Sequence, residues 1–172
     1  MPSPVKFEPL RASDLDDFFG IWGDPEALKT TIWKPSPTRE KCAIRLKEVL
    51  AHYASDPRRF GPYVIRVDKR FVGLIGADFT DSAGLEYDVW YIVARSERGN
   101  GIGSHALAEL IRVLNASGRV RRISANTLTE NRGSCRVLEK NNFIREAVVL
   151  GTYDEDGSIA DVCRYVFLPS SL

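Results

Sequence analysis

Val93-Ala-Arg-Ser-Glu-Arg98-Gly-Asn-Gly101-Ile-Gly103-Ser-His-Ala-Leu107 is the stretch on which the fold turns. On its N-terminal side, Leu85-Glu-Tyr-Asp-Val-Trp-Tyr-Ile-Val93 is rich in aromatic and β-branched residues, which suit a pleated, partly buried strand. On its C-terminal side, Ile102, Ala106, Leu107, Leu110, Ile111 and Leu114 recur at helical spacing, so one stripe of a helix faces a core. Between them, glycines at alternate positions, Gly99, Gly101 and Gly103, leave backbone N–H groups unshielded at a helix N-terminus. Those amides lack intrahelical partners and sit at the positive end of the macrodipole, which makes a seat for a phosphate or pyrophosphate.

Three loops of this kind are known. A Walker A loop ends in Gly-Lys-Ser/Thr, and here Gly103 runs into Ser104 without a lysine, which excludes it. A dinucleotide fingerprint is met in outline by Gly101-x-Gly103-x-x-Ala106. That fingerprint follows its strand directly in a first βαβ unit, with an acidic residue roughly 20 positions on. Here the polar segment 94–98 intervenes and other strands come first, which weighs against it. What remains is Arg98-x-x-Gly101-x-Gly103 as a phosphate seat, or a glycine-softened turn that holds no ligand.

At 172 residues the chain reads as one domain spanning 1–172, long enough to bury a sizeable core. A net charge of +1 argues against a mainly electrostatic partner, so no nucleic acid is expected. The dense Arg119-Val-Arg121-Arg122 is read as the surface end of a strand. Three widely spaced cysteines, Cys42, Cys135 and Cys163, suggest a reducing compartment and no disulfide framework. With only His52 and His105 and no Cys-x-x-Cys, no metal is expected. The N-terminus lacks an apolar signal core and no segment reaches transmembrane length, so no membrane partner and a cytoplasmic location are expected.

In chain order, Val5–Leu10 reads as a first strand. Ser13 or Asp14 then caps a helix to Trp22, with acidic residues in its first turn. Asp24-Pro25-Glu26 stops it, or starts another turn. Residues 30–37, with Trp33 and two prolines, read as a loop. A second helix runs from Thr38 to about Tyr53. Pro62–Val67 and Phe71–Phe79 flank a hairpin-length link, and the Leu85–Val93 strand follows. After the glycine loop come a helix to about Ser117, a strand Arg121–Leu128, and a short helix ending near Asn141-Asn142. Two strands, Phe143–Tyr153 and Ala160–Leu168, pair across Asp154–Gly157, and the tail beyond Pro169 frays. The layout is α+β: a central mixed, mostly antiparallel twisted sheet of about six to seven strands flanked by about four helices.

Arg98-x-x-Gly101-x-Gly103 resembles the signature of the GCN5-related N-acetyltransferases, the GNAT family, whose order of elements is also this one. Asn131-x-x-Ser134 followed by Glu139-Lys140-x-Asn142-Phe143 resembles that family's second motif, Asn-x-x-Ser…Glu-Lys-x-Gly-Phe. With Ala125-Asn126 and the closing strand Asp161–Tyr165, the likeness is to the RimJ/RimL-type ribosomal-protein N-terminal acetyltransferases, over about residues 6–168. Two departures stand out. Asn142 replaces a glycine, and asparagine is the next best residue for a left-handed helix end. Asp88, Trp90 and Tyr91 stand where Glu, Gly and Tyr are usual, so a bulky indole occupies a glycine position on the acceptor side.

The resemblance implies acetyl-coenzyme A as cofactor and an amine acceptor attacking in a ternary complex, without a cysteine nucleophile. Cys135 is therefore read as a packing residue. The acceptor is a protein or peptide N-terminal α-amine, or else a small amine such as an amino acid, polyamine or aminoglycoside. A non-catalytic acyl-CoA sensor is the alternative from another class, and the assembly is a monomer or homodimer. The pyrophosphate seat falls to Arg98, Gly99, Gly101, Gly103 and Ser104, with amides from Asn100 and Ile102, unless Arg98 serves a surface ion pair with Glu97 or Asp88. In such proteins the strand before the loop splays and offers its backbone to pantetheine, which falls here to Tyr91, Ile92 and Val93. Asn131 is a pantetheine- or acceptor-side amide, or the cap of the next helix. Ser134 approaches the thioester sulfur as a donor, or belongs to the helix start.

The chemistry needs a neutral amine: an α-amino group titrates at about 8 and needs modest help, a lysine at about 10.4 needs more. Glu86 and Asp88, two apart on one strand, face one side, and either is a candidate base or part of a solvated face. Tyr91 is an alternative acid. Trp33, Trp90 and Asn126 are the candidates for the acceptor side.

Overall fold

Seven strands form a single mixed sheet in the computed structural model, which describes residues 5–153 and 159–169. The strands are β1 (Lys6–Pro9), β2 (Phe60–Val67), β3 (Arg70–Phe79), β4 (Glu86–Val93), β5 (Arg122–Leu128), β6 (Ile144–Tyr153) and β7 (Ile159–Phe167). They lie in the order β1-β2-β3-β4-β5-β7-β6, and only β4 and β5 run parallel. The helices are α1 (Leu15–Trp22), α2 (Pro25–Leu28), α3 (Arg39–Ala54), α4 (Ile102–Asn115) and α5 (Arg132–Lys140). The layout is α+β as expected, with one helix more among the described residues than the sequence pattern predicts.

The additional helix is the single turn α2. Asp24 accepts from the Glu26 amide at 3.0 Å, and Pro25 takes the first helical position, where its missing N–H is no loss. The Asp-Pro pair that ends α1 therefore also starts α2. Elsewhere the observed boundaries fall within two residues of those read from the pattern: β2 begins at Phe60 and α4 ends at Asn115. Residues 30–37 form the expected irregular segment. Asp68 and Lys69 adopt φ of 49° and 67°, which closes the β2–β3 hairpin in two residues. Asn142 has φ 62°, the left-handed position at the end of α5 that asparagine tolerates. The turn at 154–157 and the tail beyond Pro169 lie outside the described residues.

Strand alternation builds a core on each face. Tyr87 and Val89 turn toward α4 and α5 and pack with Ala106, Leu107, Leu110, Leu138 and Ile123. Trp90 and Ile92 turn the other way and pack with Phe18, Trp22, Cys42 and Leu46 of α1 and α3. All three cysteines are buried thiols, and Cys135 belongs to the α4–α5 core, as a packing residue should. No helix among the described residues is long and apolar enough to cross a membrane.

The sheet opens where its parallel pair should continue. β4 and β5 are in register only from Glu86↔Arg122 to Asp88↔Ser124, although β4 runs on to Val93 and β5 to Leu128. Each stays paired to its outer neighbour, β4 with β3 as far as Val93↔Gly73 and β5 with β7 as far as Leu128↔Val162. The result is a fork whose arms are held from outside. The expected splay after Asp88 is thus present.

Candidate active site

Gly101 is the N-cap of α4, in the left-handed region with φ 77°. No side chain accepts from the first-turn amides, and no acidic residue stands in that turn. The amides of Ile102, Gly103 and Ser104 therefore point out uncapped at the positive end of a 14-residue helix. Gly99 is also left-handed, at φ 84°, with nothing within 4 Å of a Cβ placed there. Gly103 differs, because its backbone is helical. A Cβ on it would stand 3.6 Å from Val93 and Val137 and 4.0 Å from the Tyr91 ring, so this glycine keeps space rather than permitting a conformation.

That space belongs to a groove of about 570 Å³ between β4, the glycine loop and α5. Tyr91, Ile92, Val93, Arg98, Gly99, Gly101, Ile102, Gly103 and Ser104 line it, joined from the other side by Asn131 and Ser134. Asn100 is exposed in the loop and is not among the lining residues. Ile102 and Ile92 bury their side chains in opposite cores, so only their backbones face the groove. Arg98 makes neither of the ion pairs considered from sequence. Its Nε donates to the Val93 carbonyl at 3.1 Å and its Nη2 to the Ala27 carbonyl at 2.6 Å, pinning α2 to the end of β4. Partial burial lowers its pKa from the usual arginine value. Glu97 pairs with Arg70 instead.

A second cavity, of about 470 Å³, opens on the α1–α3 face. Thr31, Tyr91, Asn131 and Ser134 line both, so the two meet at the mouth of the fork. There the Tyr91 hydroxyl lies 2.9 Å from Ser134 Oγ and 3.3 Å from its carbonyl. Burial raises the Tyr91 pKa well above the usual phenol value, with the Ser134 bond opposing, so at neutral pH the group is a protonated donor. Both ends of the Asn131 amide are engaged locally: Oδ1 accepts from the Ser134 amide at 3.0 Å, and Nδ2 donates to the Thr30 carbonyl at 2.9 Å. The helix cap, one of its expected roles, is present, and it fixes where Ser134 stands.

The walls of the second cavity are aromatic and acidic. Trp33 meets Trp90 edge-on at 5.8 Å and Trp22 at 5.8 Å. Trp90 lies across from Gly76 in the β3–β4 register, and a Cβ on Gly76 would come within 2.9 Å of the indole. The large residue on β4 is thus accommodated by a glycine on its partner strand. Asp88 faces this cavity and accepts from Ser124 Oγ at 2.8 Å and Asn126 Nδ2 at 3.2 Å. Burial, and secondarily the charge of Asp78 across the ladder, hold its pKa above the usual carboxylate value against the Ser124 bond and Arg164. Glu86 shares its strand face but lines neither cavity, so the structure separates the two carboxylates proposed as bases.

Further side chains gather here that the sequence pattern does not single out. Asp78 Oδ1 lies 2.8 Å from His52 Nε2 and also accepts from Arg59, while Tyr53 donates to Oδ2 at 3.1 Å and itself accepts from the Trp90 indole. Asp78 stands opposite Asp88, which a tight turn at 80–85 would have implied. His52, 26 residues away on α3, gave no such signal. Trp22 Nε1 is a buried donor in this wall without a partner among the described residues. No group of three or more metal-ligating side chains gathers among the described residues. The arrangement combines an anion seat, a hydroxyl donor pair and an acidic aromatic pocket, joined at one point.

Comparison with known proteins agrees with this geometry. The family model described as an acetyltransferase (GNAT) domain matches residues 5–144. An N-acetyltransferase of uncharacterised role, p20 of Bacillus licheniformis, is 24% identical over 161 residues, covering 92% of this chain and 89% of that protein. Among solved structures, Mycobacterium smegmatis RimJ in complex with CoA-disulfide superposes with a TM-score of 0.82 at 24% identity, over 99% of this chain and 86% of that one. RimL, a ribosomal L7/L12 α-N-protein acetyltransferase in complex with coenzyme A, superposes at 0.84 and 18% identity, over 98% and 96% of the two chains.

Proposed function

We propose, from the premise that this chain belongs to the GNAT acetyltransferase family, that this N-acetyltransferase moves an acetyl group from acetyl-coenzyme A to the α-amine of a protein or peptide N-terminus. The observation that carries the reading is the meeting of a phosphate-suited groove and an acidic aromatic cavity at Tyr91 and Ser134. The cofactor supplies a thioester carbonyl and a thiolate leaving group. The amides of Ile102, Gly103 and Ser104, with Gly99 and Gly101, hold its pyrophosphate; the backbone of Tyr91, Ile92 and Val93 orients the pantetheine arm. Arg98 shapes this seat by tying β4 to α2.

Ser134 and Tyr91 stand ready to pass a proton to the leaving thiolate, with Asn131 fixing the serine. Asp88 receives the acceptor ammonium, oriented by Asn126 and Ser124, and Trp33 and Trp90 wall the pocket. Glu86 has no place in this scheme, since it lines neither cavity. The α-amine fits because Asp88 makes no ion pair among the described residues, offering one carboxylate to one ammonium. RimL, an α-N-protein acetyltransferase of like fold, points the same way.

Thiol release tests the reading with three sets of acceptors: peptides with free N-termini, N-blocked peptides carrying lysine, and small amines. Release with the first set alone is expected. Release only with polyamines or aminoglycosides would move the acceptor to the small-amine class. Acetyl-CoA binding without release from any amine would make the protein a sensor. In calorimetry Gly101→Glu should lose acetyl-CoA binding, because a carboxylate would occupy the anion seat; unchanged affinity would refute the groove's assignment.

A further inference from the structure

The two carboxylates on β4 are the bases that the sequence suggests, yet the cavity holds a better one from other elements. We propose that His52, held by Asp78, is the base that takes the proton from the acceptor ammonium. The proposal rests on the reading of the acidic cavity as the amine's entrance. His52 and Asp78 both line that cavity, with Tyr53, Trp90 and Ser134.

The hydrogen bonds around Asp78 settle which imidazole nitrogen is free. Oδ1 already accepts from Arg59, and Oδ2 accepts from Tyr53. A carboxylate oxygen so engaged accepts again, and it does not donate. The 2.8 Å contact is therefore His52 Nε2–H donating to Asp78, and in the neutral ring that places the lone pair on Nδ1. Among the described residues Nδ1 has no hydrogen-bond partner. The ring is also stacked edge-on against Tyr53 at 5.2 Å, so it is held on two sides.

Imidazole is the side chain most often used to move a proton in general acid–base catalysis, and His52 is the imidazole that lines this cavity. Asp88 suits holding the cation rather than deprotonating it, since both its donors converge on one oxygen and it lies deep in the fork. His52 is 48% exposed, so it can return its proton to water. The charged and titratable groups that face it are Arg45, Glu48 and Tyr53 from its own helix, Asp78 from β3, Arg59 from the preceding loop, and Asp88 from β4.

The step balances simply. One N–H bond of the ammonium breaks and its proton moves to Nδ1, giving a neutral amine and an imidazolium whose charge Asp78 offsets. The imidazolium then loses that proton to solvent. Of the two protons that an ammonium sheds on becoming an amide, this is the one released; the other balances the proton taken by the leaving thiolate.

The test compares wild type, His52→Gln and Asp78→Asn in thiol release across pH, at saturating acetyl-CoA, with the best acceptor from the panel. His52→Gln should lower kcat by about 10²-fold or more and abolish the acid limb of the kcat profile. Asp78→Asn should lower kcat at least about tenfold, and the double variant should be no worse than His52→Gln alone, because the two act as one unit. Acetyl-CoA calorimetry on the same proteins should be unchanged, which reads the cofactor groove separately from the base. Nitrogen-15 chemical shifts give an answer that needs no turnover: with two histidines in the chain, the resonance lost in His52→Gln should report the Nε2–H tautomer at neutral pH. A His52→Gln rate within twofold of wild type at every pH, or an Nδ1–H tautomer, would overturn the proposal.

Discussion

Asp88 carries its two donors on one oxygen, Ser124 at 2.8 Å and Asn126 at 3.2 Å, so an amide oxygen at that position keeps both. Burial raises the folded carboxyl above the unfolded value of about 3.9, which means that the folded state holds the proton more tightly. Stability therefore falls as pH rises from about 3.9 through the folded value. Asp88→Asn should melt higher than wild type at pH 7 and match it near pH 3, while thiol release slows for want of the cation's anchor. A melting difference that is the same at both pH values would sink this account. Gly103 makes the second prediction at this scale. Its backbone is helical and a Cβ would meet only ordinary contacts, so Gly103→Ala should be as stable as wild type or more so, by up to about 1 kcal/mol. It should nevertheless bind acetyl-CoA more weakly, because the methyl enters the groove beside Val93 and Val137; calorimetry beside a thermal melt separates the two effects. Gly101→Ala should behave differently, losing about 1–2 kcal/mol in a urea titration through its left-handed backbone.

Between elements, β3 and β4 fit through the pairing of Gly76 with Trp90. A methyl on Gly76 would lie 2.8 Å from the Tyr53 hydroxyl and 2.9 Å from the indole, and both groups are held by their mutual hydrogen bond. Gly76→Ala should therefore destabilise the protein by about 1–3 kcal/mol in urea titrations and shift tryptophan emission as Trp90 is displaced. Full stability with unaltered emission would show that the pair yields freely. The same level explains what the chain's local signals conveyed. Strands, the Asp68-Lys69 hairpin, α4 and the end of α5 at Asn142 were legible because period and turn residues are local properties. The turn α2 was only half legible, since Asp24-Pro25 reads equally as a stop and a start. That ambiguity also concealed Arg98's partner, the Ala27 carbonyl, which exists only because α2 forms.

Across the whole molecule the two halves of the candidate site were unequally visible. Half of the groove's lining comes from one continuous run, Tyr91 to Ser104, so those residues could be named from spacing. The opposite cavity draws on α1, α3, β3, β4, β5 and the 30–37 segment, and His52 meets Asp78 only through the packing of α3 on the sheet. No single stretch encodes that encounter. The fork between β4 and β5 has a consequence of its own. It leaves two naked ladder edges in the middle of a sheet, where strands ordinarily shield each other, and such edges invite pairing with foreign chains. A pantetheine arm lying between them would act as a stopgap rung. Warmed without coenzyme A, the protein should scatter light at lower temperature than with it, so that its readiness to admit a substrate is also its proneness to clump.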